Sequence, residues 1–157
     1  MMASHKILLV DDLPSNLKIL ESYMNPDHEL FMATDGRKAL KIAAANPPDL
    51  ILLDINMPDM DGFAVLEQLK ANPSTQHIPV VFLTAKDSSE EIVQGLEAGA
   101  YYYLTKPFDA EILRLVIAKA LQDDEAYAAA ARGVRNSIQM MEELNHHLAA
   151  SADASTG

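Results

Sequence analysis

The chain has 157 residues, a formal net charge of −11 at pH 7 and no cysteine. This length suits one ordinary domain with a segment left over. The acidity argues against direct binding of nucleic acid, which needs a basic surface, and the lack of cysteine excludes disulfide bonds and cysteine-based metal sites. The first residues carry no apolar signal region and no apolar run approaches the length of a membrane span, so we expect a cytoplasmic protein that does not bind membranes.

Five short, largely apolar segments bounded by turn residues lie between residues 5 and 122. Such segments are typical of strands that are buried on both faces of a sheet. The predicted strands are residues 7–10, 29–33, 50–53, 80–83 and 101–104.

Each predicted strand is followed by a helical pattern, in which apolar residues recur every three or four positions. The five helices are predicted to begin near Pro14, Gly36, Phe63, Ser88 and Asp109, where proline, turn residues or capping residues mark a start. Five strand–helix units with right-handed crossovers predict an α/β fold with a doubly wound, five-stranded parallel sheet. The periodicity leaves the strand order open. We expect the flavodoxin-like order 2-1-3-4-5, which sets strands 1 and 3 side by side at the switch point.

Polar side chains stand at the ends of four predicted strands. They are Asp11 and Asp12 after the first strand, Asp54 after the third, Thr84 after the fourth and Lys106 after the fifth. Because parallel strands have their carboxyl ends at one edge of a sheet, we expect these side chains to converge there. Carboxylates held close together repel one another unless a cation pairs with them, and oxygen ligands suit Mg²⁺, with Mn²⁺ as a substitute. The set therefore predicts a site for a metal ion and a phosphoryl group.

Each of these residues also has a purely structural interpretation. Aspartates after strands often cap the next helix, Thr84 suits the end of a strand, and Lys106 suits a solvated surface. The combination of all five in this order is what favours a functional site.

Several segments of the chain resemble the receiver domain of two-component response regulators. They are Asp11-Asp12, residues 54–58 with Asp61-Gly62, residues 83–85, Gly99-Ala100 and residues 103–108. The resemblance covers residues 5–122 and implies a phosphoprotein that acts in phosphorelay signal transduction.

The resemblance implies a role for each acidic residue. Asp54 would be the phosphoacceptor, taking a phosphoryl group from a phosphohistidine on a sensor histidine kinase or a phosphotransfer protein. Asp12, Asp54 and the backbone carbonyl of Asn56 would hold Mg²⁺, with Asp11 contributing mainly through water. A carboxylate is a poor nucleophile and the phosphoryl group is anionic, so transfer depends on positioning and on neutralising charge.

The resemblance also implies a conformational switch. Thr84 would donate a hydrogen bond to one phosphoryl oxygen and Lys106 would pair with another, and the Lys106–Pro107 peptide bond is expected to be cis. Tyr103 resembles the family's switch aromatic, which turns inward when the threonine moves, although packing in the core would account for it equally well. Phosphorylation would then change conformation and partner contacts.

Two other functions would account for part of this pattern. A haloacid-dehalogenase-like phosphatase also uses an aspartyl nucleophile, Mg²⁺, a threonine and a lysine, but it needs a second aspartate two positions after the nucleophile, where this chain has Asn56. A pure binding module with a degenerate site is opposed by the intact acid cluster. We therefore expect a signalling switch that catalyses only its own phosphoryl transfer and dephosphorylation.

The segment after the predicted receiver, residues 123–150, has a different apolar pattern. Its apolar positions alternate steps of four and three, which is typical of a coiled coil; they are Tyr127, Ala131, Val134, Ile138, Met141, Asn145 and Leu148. The pattern favours a helix continuous with the fifth receiver helix and a homodimer through the two extensions. The alternative is that the stripe packs back on its own receiver or stays partly frayed. Residues 151–157 are small and polar and are predicted to be disordered.

Overall fold

A parallel sheet of five strands forms the centre of the part of the chain that the structure describes. The computed structural model describes residues 4–24, 26–85 and 88–156, with side chains described as far as residue 144 and at His146. The strands are β1 Lys6–Val10, β2 Glu29–Ala33, β3 Leu50–Asp54, β4 Val80–Ala85 and β5 Tyr102–Lys106. They pair in the order β2-β1-β3-β4-β5, so the predicted fold class and strand order are confirmed.

Among the described residues, six helices accompany the sheet: α1 Pro14–Tyr23, α2 Gly36–Ala45, α3 Gly62–Ala71, α4 Ser89–Glu97, α5 Ala110–Ala120 and α6 Asp124–Thr156. Asp35, Asp61 and Asp109 cap α2, α3 and α5 by accepting hydrogen bonds from backbone N–H groups of the first turn. Ser88 precedes α4 as predicted, but its side chain makes no capping hydrogen bond. None of the helices in the described part of the chain is both long and apolar enough to cross a membrane.

Side chains alternate between two apolar cores, one on each face of the sheet. On one face, Leu8 and Val10 of β1 join residues of α2 and α3. On the other face, Ile7 and Leu9 join residues of α1 and α5. The central strands are thus buried on both faces, which is why they are apolar at every position except where they reach the edge of the sheet.

A turn at residues 121–123 separates α5 from α6. Gln122 adopts a left-handed conformation with φ of 55°, and the Asp123 carboxylate accepts a 3.1 Å hydrogen bond from the Ala126 N–H at the start of α6. The helix then packs back against α5. The expectation of one helix continuous with the fifth receiver helix is therefore wrong, because the chain reverses direction between the two.

The first part of the predicted coiled-coil stripe packs on the α/β domain of its own chain. Ala131 is buried and Val134 is half-buried, whereas Ile138 and Met141 are exposed. Asn145 and Leu148 lie outside the residues whose side chains are described. The predicted alternative, in which the stripe packs back on its own domain, thus applies to the first half of α6. Homodimerisation through the extension stays a prediction.

The end of α6 differs from the sequence expectation. The helix includes residues 151–156, which the composition predicted to be disordered. Alanine is frequent in this stretch and no glycine or proline interrupts it before Gly157, so the intrinsic preference of the backbone favours helix.

Gly62 allows the loop after β3 to pack closely against the end of that strand. A Cβ atom at this position would lie 2.6 Å from the Asp54 carbonyl oxygen and 2.8 Å from Ile55 Cα. Both contacts are shorter than van der Waals distance and involve backbone, which cannot swing aside as a side chain can. The glycine therefore fixes the backbone on which the Asp54 side chain is placed.

Replacing this glycine tests that packing. We expect Gly62→Ala to lower the free energy of unfolding by about 2 kcal/mol, because the added methyl group must displace backbone. Gly133→Ala is the matched control: its Cβ would meet nothing within 4 Å, and alanine in a helix should raise stability by roughly 0.5–1 kcal/mol. Urea unfolding of both variants measures the difference, and equal stability of Gly62→Ala and the unaltered protein would contradict the prediction.

Candidate functional site

The residues predicted to form the site converge at the carboxyl edge of the sheet. Asp11 follows β1, while Asp54, Thr84 and Lys106 are in the last residues of β3, β4 and β5. The strands are slightly longer than predicted, because the ladder continues beneath the polar side chains and pairs Asp54 with Leu83 and Thr84 with Thr105. This placement agrees with the expectation that the site residues converge at one edge of the sheet.

Three carboxylates form a compact cluster at this edge. One oxygen from each of Asp11, Asp12 and Asp54 lies within 4.8 Å of the others. Asp11 is 0% exposed and Asp54 is 1% exposed, while Asp12 is half-buried. The arrangement brings together the acid pair that follows the first strand and the single acid at the end of the third.

Local hydrogen bonds fix Asp11 in the cluster. Its Oδ1 accepts a 2.9 Å bond from the Leu13 N–H, and its Oδ2 accepts a 3.1 Å bond from the Asn16 side-chain amide. Asn16 belongs to the first turn of α1 and was not predicted from the sequence. Its role follows only from the turn that leads from β1 into α1, and no motif in the sequence marks it.

Lys106 supplies a positive charge between two of the acids. Its Nζ lies 3.1 Å from Asp54 Oδ1 and 3.3 Å from Asp11 Oδ2. The Lys106–Pro107 peptide bond is cis, as expected. The structural alternative of a solvated surface lysine does not fit this position, because the ammonium group contacts two buried carboxylates.

Burial perturbs the ionisation of the site. Burial, together with repulsion from Asp11, raises the pKa of Asp54 to about 6, although the nearby Lys106 opposes the shift. Burial alone lowers the pKa of Lys106, but attraction to Asp54 and Asp11 outweighs it and leaves that pKa raised. One ammonium group thus balances only part of the negative charge, and the oxygen-only cluster fits a hard divalent cation.

Asn56 borders the cluster through its backbone. Its N–H donates a 3.3 Å hydrogen bond to Asp54 Oδ1, and its side chain donates a 3.4 Å bond to Glu91 Oε2 of α4. The second contact links the loop after β3 to the start of α4. Glu91 was not singled out by the sequence, because the two residues are distant in the chain and neither belongs to a common motif.

Thr84 and Tyr103 lie on the strands next to the cluster. Thr84 is fully buried, and its hydroxyl lies 3.5 Å from the Ala85 carbonyl oxygen, which is too long for a strong hydrogen bond. Tyr103 is half-buried, pairs with Phe82 across the ladder and packs against the core on that face. Thr84 therefore has a hydroxyl available to a ligand, and Tyr103 lies on the neighbouring strand, two residues before the ladder partner of Thr84.

Comparison with known proteins identifies the family. Residues 7–118 match the sequence model of the response regulator receiver domain. The chain belongs to this family. Over 111 residues it is 49% identical to the response regulator PleD of Caulobacter vibrioides, an alignment that covers 70% of this chain and 24% of PleD.

Solved receiver structures have the same fold. A putative response regulator from Chloroflexus aurantiacus aligns with a TM-score of 0.73 and 30% identity, over 76% of this chain and 99% of that one. The chemotaxis protein CheY4 of Vibrio cholerae aligns with a TM-score of 0.70 and 32% identity, over 75% and 99%. This chain is therefore a receiver domain of the two-component response regulators followed by the helix α6, and the haloacid-dehalogenase-like alternative gains no support. The chain spans about a quarter of the length of the first curated relatives that it matches.

The raised pKa of Asp54 has a measurable effect on stability. The shift from 3.8 to about 6 corresponds to an unfavourable interaction of at most about 3 kcal/mol in the ionised state. Between pH 4 and pH 6 the folded protein binds more protons than the unfolded protein does. The contribution of Asp54 to the free energy of unfolding therefore rises as the pH falls through 6 towards 4. Asp54→Asn should therefore raise the free energy of unfolding of the metal-free protein by roughly 1–3 kcal/mol at pH 7.5, and the gain should vanish near pH 4.

Urea unfolding in the presence of a chelator, repeated across this pH range, measures the effect. Asp59→Asn is the control, because Asp59 is an exposed loop residue with φ of 67° that asparagine also adopts. A loss of stability in Asp54→Asn at pH 7.5 would contradict the prediction.

Proposed function

We propose that Asp54 accepts a phosphoryl group from a phosphohistidine on a sensor histidine kinase or a phosphotransfer protein. A carboxylate oxygen of Asp54 attacks the phosphorus, the bond from phosphorus to the histidine nitrogen breaks, and the histidine leaves with the electron pair of that bond. The observation that carries the proposal is the contact of Lys106 with both Asp54 and Asp11 at the edge of the sheet. Receiver domains as a family interact with such kinases and phosphotransfer proteins.

Mg²⁺ is the metal that we assign to the acid cluster. Asp11, Asp12, Asp54 and the backbone carbonyl of Asn56 would hold it, and when bound it neutralises charge on the phosphoryl oxygens. Two observations support the fit: the three carboxylates approach one another closely, and Lys106 leaves them with excess negative charge. Asp11 would contact the metal ion mainly through a bound water molecule, as the resemblance implies.

Lys106 is proposed to stabilise the transferring group directly. In the structure its ammonium group lies between Asp54 and Asp11, so little movement is needed for it to pair with an oxygen on phosphorylated Asp54. An ammonium group in a partly dry site stabilises developing negative charge more strongly than water does. The Asn56 N–H, already directed at Asp54 Oδ1, would help to orient the nucleophile.

Thr84 and Tyr103 are proposed as the switch. The buried Thr84 hydroxyl has only a long contact to the neighbouring carbonyl, so a phosphoryl oxygen would offer it a better acceptor. Inward movement of Thr84 would vacate space beside Tyr103 on the adjacent strand. The protein would then act as a signalling switch rather than as an enzyme that turns over free substrate.

The first test concerns the phosphoacceptor. We expect Asp54→Asn to abolish incorporation of acid-labile phosphate from acetyl phosphate with Mg²⁺, because an amide oxygen is a far weaker nucleophile than a carboxylate. Asp59→Asn should be labelled as well as the unaltered protein. Incorporation is followed by mass spectrometry of the intact chain, and persistent labelling of Asp54→Asn would mean that another residue is the acceptor.

The second test separates metal binding from phosphoryl binding. Removing the ammonium group in Lys106→Met should leave Mg²⁺ affinity unchanged or higher, because a neighbouring positive charge opposes cation binding. Phosphorylation should then no longer change the environment of Tyr103. Mg²⁺ titration by calorimetry and the tyrosine NMR signals before and after phosphorylation give the two readouts. A loss of Mg²⁺ binding in this variant would contradict the assignment of Lys106.

A further inference from the structure

Two side-chain contacts align α6 antiparallel to α5. Near the turn, the Lys119 ammonium group lies 5.3 Å from the centre of the Tyr127 ring. At the start of α5, the Ser137 hydroxyl donates a 2.6 Å hydrogen bond to Glu111 Oε2. Ser137 is therefore level with the first turn of α5.

The rest of α6 extends past the edge of the sheet that carries the acid cluster. The first turn of α5 marks this edge, because α5 begins at Ala110, shortly after Lys106 ends β5. From Ser137 the helix continues in the same direction to Thr156. At 1.5 Å per residue, this part extends about 28 Å beyond α5. Residues 138–156 are called the overhang.

The overhang carries exposed apolar side chains on the side that faces the receiver. Ile138, Met140, Met141 and Leu144 are 49%, 69%, 64% and 58% exposed. Residues seven apart lie on nearly the same face of a helix, so Met140 continues the face of Gly133, and Leu144 continues the face of Ser137. Gly133 lines a cavity of about 610 Å³ between α6 and the receiver, and Ser137 contacts α5. The apolar side of the overhang therefore faces the space above α5 and the sheet edge.

Leu13 adds an exposed apolar side chain at the same edge. It follows Asp12 directly, precedes α1 and is 52% exposed. The helices α1 and α5 cover the same face of the sheet, so Leu13 and the overhang border the acid cluster from the same side. Exposed apolar groups collected around one opening are typical of a protein-binding surface.

We propose that the overhang is a docking surface for the protein that donates the phosphoryl group. The proposal rests on the function proposed for Asp54. Because Asp54 is 1% exposed, a protein donor must lie directly over the sheet edge to bring its phosphohistidine within bonding distance. A donor in that position fills the space that the apolar side of the overhang faces. The occupant is thus a phosphohistidine-bearing protein with an apolar surface beside its histidine.

A second copy of the chain would have the opposite effect if it bound the same side of the overhang. It would fill the space above the sheet edge and keep protein donors away from Asp54. Removing the apolar side chains would then speed phosphorylation by a protein donor. Under the proposed docking role, their removal slows it.

The test uses the full chain with Met140→Gln, Met141→Gln and Leu144→Gln, which keep good helix formers in place. Two donors are compared: acetyl phosphate, which needs only the site, and the autophosphorylated histidine kinase that labels the unaltered chain fastest in a panel of purified kinases. We expect kcat/KM with the kinase to fall about tenfold or more, through KM. The rate with acetyl phosphate should not change.

The matched control changes the opposite side of the same segment. Gln139 and Glu143 are joined by a 3.2 Å side-chain hydrogen bond, and Gln139→Ala with Glu143→Ala should leave the rates with both donors unchanged. Circular dichroism of each variant checks that helix content is retained.

Three outcomes would overturn the docking role. The first is equal transfer from the kinase to the triple variant and to the unaltered chain. The second is faster transfer to the triple variant, with a dimer that sedimentation detects only in the unaltered chain. The third is an equal loss with both donors, which would mean that the overhang acts through the integrity of the site. If neither donor labels the unaltered chain, the function proposed for Asp54 fails, and that result is distinct from the other three.

Discussion

The site depends on the burial of two carboxylates opposite a single ammonium group. Asp11 and Asp54 are almost entirely removed from water, and this burial, together with repulsion from Asp11, raises the pKa of Asp54 to about 6. Lys106 approaches both carboxylates within 3.3 Å but offsets only part of their charge. The remaining negative charge explains why the cluster suits a divalent cation, and why position 54 is suited to hold a phosphoryl group once that charge is balanced.

The fold can hold this unfavourable arrangement because apolar burial on both faces of the sheet supports it. Apolar side chains of β1 and β3 fill both cores just below the acids, so the backbone that carries Asp11 and Asp54 has little freedom. Gly62 allows the loop after β3 to lie directly against the strand end. The cost of close like charges is confined to the last residues of the strands, which is where functional sites commonly depart from optimal stability.

The sheet and the convergence of the acids could be predicted, because buried parallel strands are apolar runs that end at one edge. The ends of the strands could not be predicted, because the hydrogen-bonded ladder between the strands continues beneath the polar residues Asp54, Thr84 and Lys106. Neither glycine nor proline marks the reversal between α5 and α6. Gln122 adopts φ of 55° there, and the packing of α6 on α5 decides the direction of the helix. Asn16 was missed because its contact with Asp11 depends on the geometry of a turn rather than on a motif.

The central claim is that a divalent cation and the Lys106 ammonium group together allow Asp54 to carry a phosphoryl group. A crystal structure of the protein with magnesium and beryllofluoride, a mimic of the phosphoryl group, tests it most directly. The account predicts beryllofluoride on an Asp54 carboxylate oxygen, with the metal ion held by the acid cluster and Lys106 paired with a fluorine atom. An empty pocket at Asp54, with the Lys106 side chain directed into bulk solvent, would contradict the account.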